Sequence, residues 1–192
     1  MVIVLMGVSG SGKTTIGELL AQAIGATFAE GDAYHPPANI EKMRRGIPLD
    51  DADRWPWLEI LSREIERWLA AGTSVVLACS ALKQSYRDVL AKGRPEVRFV
   101  FLNGDEALIR ARLDRRRGHY MPPSLLASQI ATLEEPVGAI TADVAGTPEA
   151  IVAAILRSLR AGQPASRKAR SRAATTVASR IADRSPGNTS RT

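Results

Sequence analysis

Cysteine is almost missing from this 192-residue chain: Cys79 is the single one, which excludes an intramolecular disulfide. It sits in an apolar run and reads as a small core residue rather than a nucleophile. Long hydrophobic runs are also missing, none approaching the roughly 18 apolar residues of a membrane span. The first seven residues lack the charged start and apolar stretch of a secretory leader. A cytoplasmic protein without a membrane partner is the expectation. Acidic charge is scarce in one place only. Residues 1–160 hold 19 Lys/Arg and 19 Asp/Glu, whereas residues 161–192 hold seven and one, so the net charge of +6 belongs to the end of the chain. That stretch also has almost no large apolar residue to offset the entropy of ordering. It reads as a disordered basic tail, either a solvated appendage or a weak polyanion tether. A neutral remainder gives no reason to expect a specific nucleic-acid partner. No internal repeat is visible, and one domain over residues 1–160 is expected.

What is present begins at once. Val2 to Met6 is a short apolar run, and Gly7-Val8-Ser9-Gly10-Ser11-Gly12-Lys13-Thr14 follows it in the phosphate-loop pattern G-x-x-x-x-G-K-[ST]. Glycine at 7, 10 and 12 lets consecutive backbone N–H groups point inward at phosphate oxygens. Gly7, Ser9, Gly10, Ser11, Gly12, Lys13, Thr14 and Thr15 are therefore the expected nucleotide cradle. Within it, Lys13 reaches the β- and γ-phosphates and the Thr14 hydroxyl ligates Mg²⁺. Residues 15–24 carry apolar side chains at helical spacing, so the helix N-terminus aims a partial positive charge at the same anion.

Strand-like runs recur at Val2–Met6, Thr27–Glu30, Ser74–Cys79, Val97–Leu102 and Ala139–Val144, with helical segments between them. This alternation predicts an α/β fold, a parallel sheet flanked by helices. Asp53 to Ala71 places Leu58, Leu61, Ile65, Trp68 and Leu69 on one helix face, with Gly72 as the stop. Thr147-Pro148-Glu149 reads as a helix start: an N-cap, a proline at the first position and an acid in the first turn. Arg110 to Arg117, running into Gly118-His119-Tyr120-Met121-Pro122-Pro123, is a cationic stretch ending in breakers. It reads as an arginine-rich lid at about 115–124, or as a solvated basic helix end.

A phosphate loop does not by itself say what becomes of the nucleotide. The third strand does not end in the aspartate of a Walker B site, and no guanine-reading N-K-x-D occurs, so the small-kinase plan remains. Glu30-Gly31-Asp32 leaves the second strand at its C-terminal end, the edge where open α/β sheets bind ligands. If the strand stays extended, both carboxylates project the same way. Glu30 then suits a Mg²⁺-bound water and Asp32 the proton of an acceptor hydroxyl, unless both are only turn acids.

Further motifs follow in order: Gly31-Asp32-Ala33-Tyr34-His35-Pro36, then Ile47 to Leu58 (I-P-L-D-D-A-D-R-W-P-W-L), Cys79-Ser80-Ala81-Leu82-Lys83 with Tyr86-Arg87-Asp88, and Gly118-His119-Tyr120-Met121-Pro122. With the phosphate loop they resemble gluconate kinase (gluconokinase) over residues 1–160. The resemblance implies the nucleoside-monophosphate-kinase-like variety of the P-loop fold, usually as a homodimer. It also implies ATP- and Mg²⁺-dependent phosphorylation of D-gluconate at its 6-hydroxyl. Many relatives carry a second acid where this chain has Ala33, which concentrates the catalytic role on Asp32. Gluconate is a linear polyol with a carboxylate, so Arg54 is expected as its two-pronged cation. Lys83 is a second basic candidate, with Lys42, Arg45 and Arg87 behind it. His35, Ser80 and His119 are expected at hydroxyls. The bland alternatives are that His35 pins a turn, Ser80 caps a helix beginning near Ala81, and His119 shapes the lid. Trp55 and Trp57 read as packing residues. By the same resemblance Arg112 stacks on adenine, while Arg115 and Arg116 belong to the lid, Arg116 as its catalytic arginine. Shikimate kinase, a rival of the same architecture, would show a Gly-Gly-Gly turn where Cys79-Ser80-Ala81 stands.

Overall fold

Five short strands, each apolar on both faces where it is central, assemble into one parallel sheet. The computed structural model describes residues 1–115 and 125–161; residues 116–124 and 162–192 lie outside it, and with them the expected lid except Arg115 and the expected tail except Ala161. The strands are β1 (Val2–Met6), β2 (Thr27–Glu30), β3 (Val75–Ala78), β4 (Val97–Asn103) and β5 (Ile140–Asp143). Their order across the sheet is β2-β3-β1-β4-β5. Central β1 pairs Val4 with Leu77 on one side and with Phe99 on the other. All five β1 residues are fully buried, as expected of a strand covered by helices on both faces.

The helices are α1 (Lys13–Ile24), α2 (Pro37–Arg44), α3 (Asp51–Ala70), α4 (Gln84–Ala91), α5 (Glu106–Arg115), α6 (Leu125–Thr132) and α7 (Pro148–Ala161). Helix α3 starts two residues earlier than the apolar spacing predicts, because Asp50 and Asp53 form a reciprocal cap. Asp53 N–H donates to Asp50 Oδ1 at 2.9 Å and Asp50 N–H to Asp53 Oδ2 at 3.1 Å. Its Leu58, Leu61 and Ile65 are buried with Trp57 against β1 and β3, while Trp68 and Leu69 are half-covered at the margin of that core. Thr147 caps α7 as expected, its Oγ1 accepting from Ala150 N–H at 3.3 Å. Cys79 is buried in the core, and burial pushes its thiol up to about 12, which leaves it inert.

Two expectations are corrected. Helix α4 begins at Gln84, not near Ala81, since Ala81 adopts φ 42° and turns the chain before the helix starts. Ser80 therefore caps nothing; its carbonyl accepts from Gly7 N–H at 3.2 Å. Nor does the chain stay extended through Asp32. After Glu30 it enters a 3₁₀ turn, Gly31–Tyr34. The turn sits so close to β3 that a Cβ on Gly31 would lie 2.5 Å from the Ala78 carbonyl oxygen. Trp57 Nε1–H pins it further by donating to Gly31 O at 2.8 Å.

The chain divides into two units, Met1–Ser158 and Leu159–Thr192. The first holds the sheet, α1 to α6 and most of α7; of the second, residues 159–161 are described. Among the described residues no helix is long and apolar enough to cross a membrane.

Candidate active site

The loop between β1 and α1 needs its glycines. Gly7, Gly10 and Gly12 hold φ of 140°, 84° and 95°, a region that side chains disfavour. At Gly10 a Cβ would also meet Leu113 Cγ at 2.7 Å, so space as well as torsion requires the missing side chain. Lys13 Nζ folds back to donate to the carbonyls of Gly7 at 3.0 Å and Val8 at 3.1 Å, closing the loop into a ring. In the same loop, Ser11 Oγ is buried and has no hydrogen-bond partner among the described residues. A buried hydroxyl without a partner in a ring of inward-facing backbone is the signature of an anion cradle waiting for acceptors.

The loop separates two cavities. On one side, a cleft of about 340 Å³ is lined by Gly10, Ser11, Gly12, Thr15, Arg112 and Arg115, with Pro148 and Ile151 of α7. Arg112 is fixed there by donating from Nη2 to Val144 O at 2.7 Å. On the other side, Ser9, Lys13, Asp32, His35, Arg54, Ser80 and Gln129 line a cavity whose open volume is about 30 Å³. That is room for about one water. Met43, Leu49 and Leu125, which form an apolar cluster, line the same cavity.

The 3₁₀ turn sends the two acids of the second strand end to different tasks. Glu30 Oε2 accepts from Thr14 Oγ1–H at 2.9 Å. Burial raises the Glu30 carboxyl above its ordinary range, and the Thr14 hydrogen bond opposes that rise. Asp32 instead faces the smaller cavity, with Oδ1 3.9 Å from His35 Nε2. His35 is buried, stacked on Trp57 with ring centroids 4.1 Å apart and planes 18° from parallel. Burial lowers it to about 4, overriding the pull of Asp32. Arg54 is 9% exposed, with Nε donating to Leu49 O at 3.2 Å and its guanidinium carbon 5.9 Å from the Tyr86 ring centre. Its terminal nitrogens make no hydrogen bond among the described residues, so a forked donor remains at the cavity wall.

The other basic candidates are engaged elsewhere. Lys83 Nζ pairs with both Asp51 oxygens at 2.7 and 2.8 Å, and Tyr86 O–H donates to the same carboxylate. Lys42 pairs with Asp53 at 2.6 Å. Arg87 is buried and donates to the carbonyls of Ala81 and Leu82, propping the turn that holds Ser80. Arg45 is exposed on the surface. Arg116 and His119 lie outside the described residues. Trp55 packs edge-on against Tyr86, and Trp57 is fully buried, so both are packing residues as expected.

Sequence reasoning missed Gln129 and Asn39. Gln129 gives no local signal on α6. Asn39 carries none either, because it stands third in α2, in the first turn, where a polar residue is ordinary. Among the described residues no group of three or more His, Cys, Asp or Glu side chains could hold a metal ion.

Residues 2–136 match the AAA domain family. The gluconokinase of Gluconobacter oxydans is 52% identical over 134 residues, covering 70% of this chain and 75% of that protein. A crystal structure of a gluconokinase from Sinorhizobium meliloti is 50% identical at a TM-score of 0.74, covering 82% of this chain and 90% of its own. The unliganded structure of a sugar kinase from a Janibacter species is 48% identical at a TM-score of 0.79, covering 83% and 94%.

Proposed function

The chain belongs to the gluconokinase family, and from that premise we propose that it phosphorylates D-gluconate on its 6-hydroxyl with ATP. The observation that carries this is the shared cavity: Lys13 of the phosphate loop, the Asp32 carboxylate and the Arg54 fork line one space. An acid with a terminal hydroxyl needs those three groups together. Arg54 holds the substrate carboxylate through paired charge-assisted hydrogen bonds. Asp32 accepts the hydroxyl proton as the oxygen attacks the γ-phosphorus, and the bond from that phosphorus to the β,γ-bridging oxygen breaks, releasing ADP. Lys13 stays on the transferring phosphate and neutralises charge there. Arg112 and Arg115 wall the cleft opposite, in the position for the nucleotide base, with Arg112 flat against adenine.

The residues fit a magnesium ion held largely by phosphate oxygens, the usual arrangement for Mg²⁺ in such sites. Thr14 Oγ1 would ligate it while its O–H still donates to Glu30, and Glu30 would hold a water of its shell. Bound there, the ion supplies positive charge at the β- and γ-oxygens. Arg116 as a lid arginine, Ser80 and His119 at substrate hydroxyls, a homodimer and a cytoplasmic location complete the reading.

ADP release measured across D-gluconate, shikimate and other sugar acids tests it. Turnover with gluconate, and a product carrying phosphate on C6, is expected. Equal or faster turnover with shikimate, or none with any sugar acid, overturns it. Asp32→Asn should lower kcat by about 10²-fold or more, the scale of a general base, whereas a change confined to KM would make Asp32 a binding group.

A further inference from the structure

The small cavity is lined by a histidine that contacts a buried residue no motif includes. Asn39 is buried on α2, and its Nδ2 lies 2.8 Å from the backbone carbonyl oxygen of Asp53 on α3. A carbonyl oxygen only accepts, so the atom facing it is the amide nitrogen and the orientation of the Asn39 side chain follows. The same nitrogen lies 3.3 Å from His35 Nδ1. An amide NH₂ has two hydrogens and no useful lone pair; one goes to Asp53 O and the other must meet an unprotonated Nδ1. The remaining proton of a neutral ring then sits on Nε2. That nitrogen faces the cavity and Asp32, 3.9 Å from Oδ1. Stacking on Trp57 keeps the ring from rotating away, and Trp57 is itself tied to Gly31 O, one residue before Asp32.

We propose that Asn39 is a positioning residue that holds His35 as its Nε2–H tautomer, making His35 a hydrogen-bond donor to the acceptor oxygen and leaving Asp32 as the sole proton acceptor. The proposal deepens the phosphoryl-transfer reading above and rests on it for the identity of the acceptor. The gap of 3.9 Å is too long for a direct hydrogen bond but suits an intervening hydroxyl. Such a hydroxyl accepts from Nε2–H and donates to Asp32, using one lone pair and its only proton in the sense transfer requires. The reverse tautomer would point a lone pair at the same hydroxyl and compete with Asp32 for that proton. Burial supports the neutral ring by lowering His35 to about 4. The charged groups facing it divide, with Asp32 of the 3₁₀ turn favouring the cation and Arg54 of α3 opposing it. Lys13 lines the same cavity from the phosphate loop.

The chain has two histidines, so nitrogen-15 imidazole spectra of the full-length protein, compared with those of His119→Gln, assign His35 without further labelling. The expected spectrum is a neutral ring protonated on Nε2 from pH 8 down to about pH 5, with or without substrate. A ring protonated on Nδ1, a fast mixture of tautomers, or a cation at pH 7 overturns the proposal. Asn39→Asp replaces the donor with an acceptor and should transfer the proton to Nδ1; an unchanged tautomer in that variant also overturns it. In kinetics, Asn39→Ala should lower kcat about tenfold, the scale on which losing the partner that orients a functional imidazole acts. KM for ATP should hold. His35→Gln, which keeps an N–H donor, should retain more kcat than His35→Ala; equal losses count against a donor role. The spectra do not depend on which acid is phosphorylated, so failure of the gluconate reading and failure of this one are separate results.

Discussion

Gln129 on α6 and Ser9 in the phosphate loop, 120 positions apart, exchange two hydrogen bonds. Ser9 N–H donates to Gln129 Oε1 at 2.7 Å, and Gln129 Nε2–H donates to Ser9 Oγ at 3.1 Å. The carbonyl oxygen of Gln129 thus offers Ser9 N–H the kind of acceptor that a phosphate oxygen offers. A nucleotide that takes this N–H has to displace Gln129. Deleting the competitor in Gln129→Ala should tighten binding of a non-hydrolysable ATP analogue by about two- to tenfold, the worth of one neutral hydrogen bond. Calorimetric titration measures it. Weaker binding would instead make Gln129 part of the phosphate site.

Arg54 lines the small cavity, oriented by Leu49 O and the Tyr86 ring, and is the proposed reader of the substrate carboxylate. Arg54→Ala should raise KM for gluconate by the equivalent of about 2–3 kcal/mol, as for loss of charge-assisted hydrogen bonds, with KM for ATP little changed. Arg54→Lys should recover only part, since an ammonium cannot grip Leu49 O and a carboxylate in the same plane. Steady-state kinetics in both substrates decides it: a defect confined to ATP would put Arg54 on the nucleotide side.

His35 makes the fold sensitive to acid. Its ring stays neutral down to about 4 in the folded protein, against an ordinary value of 6.5. Between those values the unfolded chain binds the extra proton, so the contribution to stability is complete above about pH 6.5 and is lost as pH falls through the window toward 4. Melting temperature should therefore drop across that range more steeply in the wild type than in His35→Gln. Parallel slopes would show that the ring is already charged in the folded state or does not stay buried.

Much of this molecule is local in sequence. The phosphate loop is one contiguous segment whose glycines, lysine and threonine declare their task by type and order, and the helix after it follows from apolar spacing. The strand runs were legible for the same reason, because a strand buried on both faces must be apolar along its length. Asp32 and Arg54 could be named as candidates from their motifs, yet the direction of Asp32 could not. An extended chain would have aimed it alongside Glu30, and the close approach of Gly31 to β3, pinned by Trp57, turned it instead into the cavity.

Composition and pattern by themselves determined the α/β class, the anion cradle and the carboxylate at the end of the second strand, since each is written in neighbouring residues. The strand order β2-β3-β1-β4-β5, the diversion of Lys83 to Asp51, the seat of Gln129 on Ser9 and the grip of Asn39 on His35 were decided only by the tertiary structure. Each of those side-chain pairings depends on donors meeting acceptors within hydrogen-bond reach, at most about 3.5 Å. Most join residues far apart in the chain, and Asn39 takes its hold on His35 only while Asp53 O of another helix receives its second hydrogen, so the partners are chosen by how sheet and helices pack.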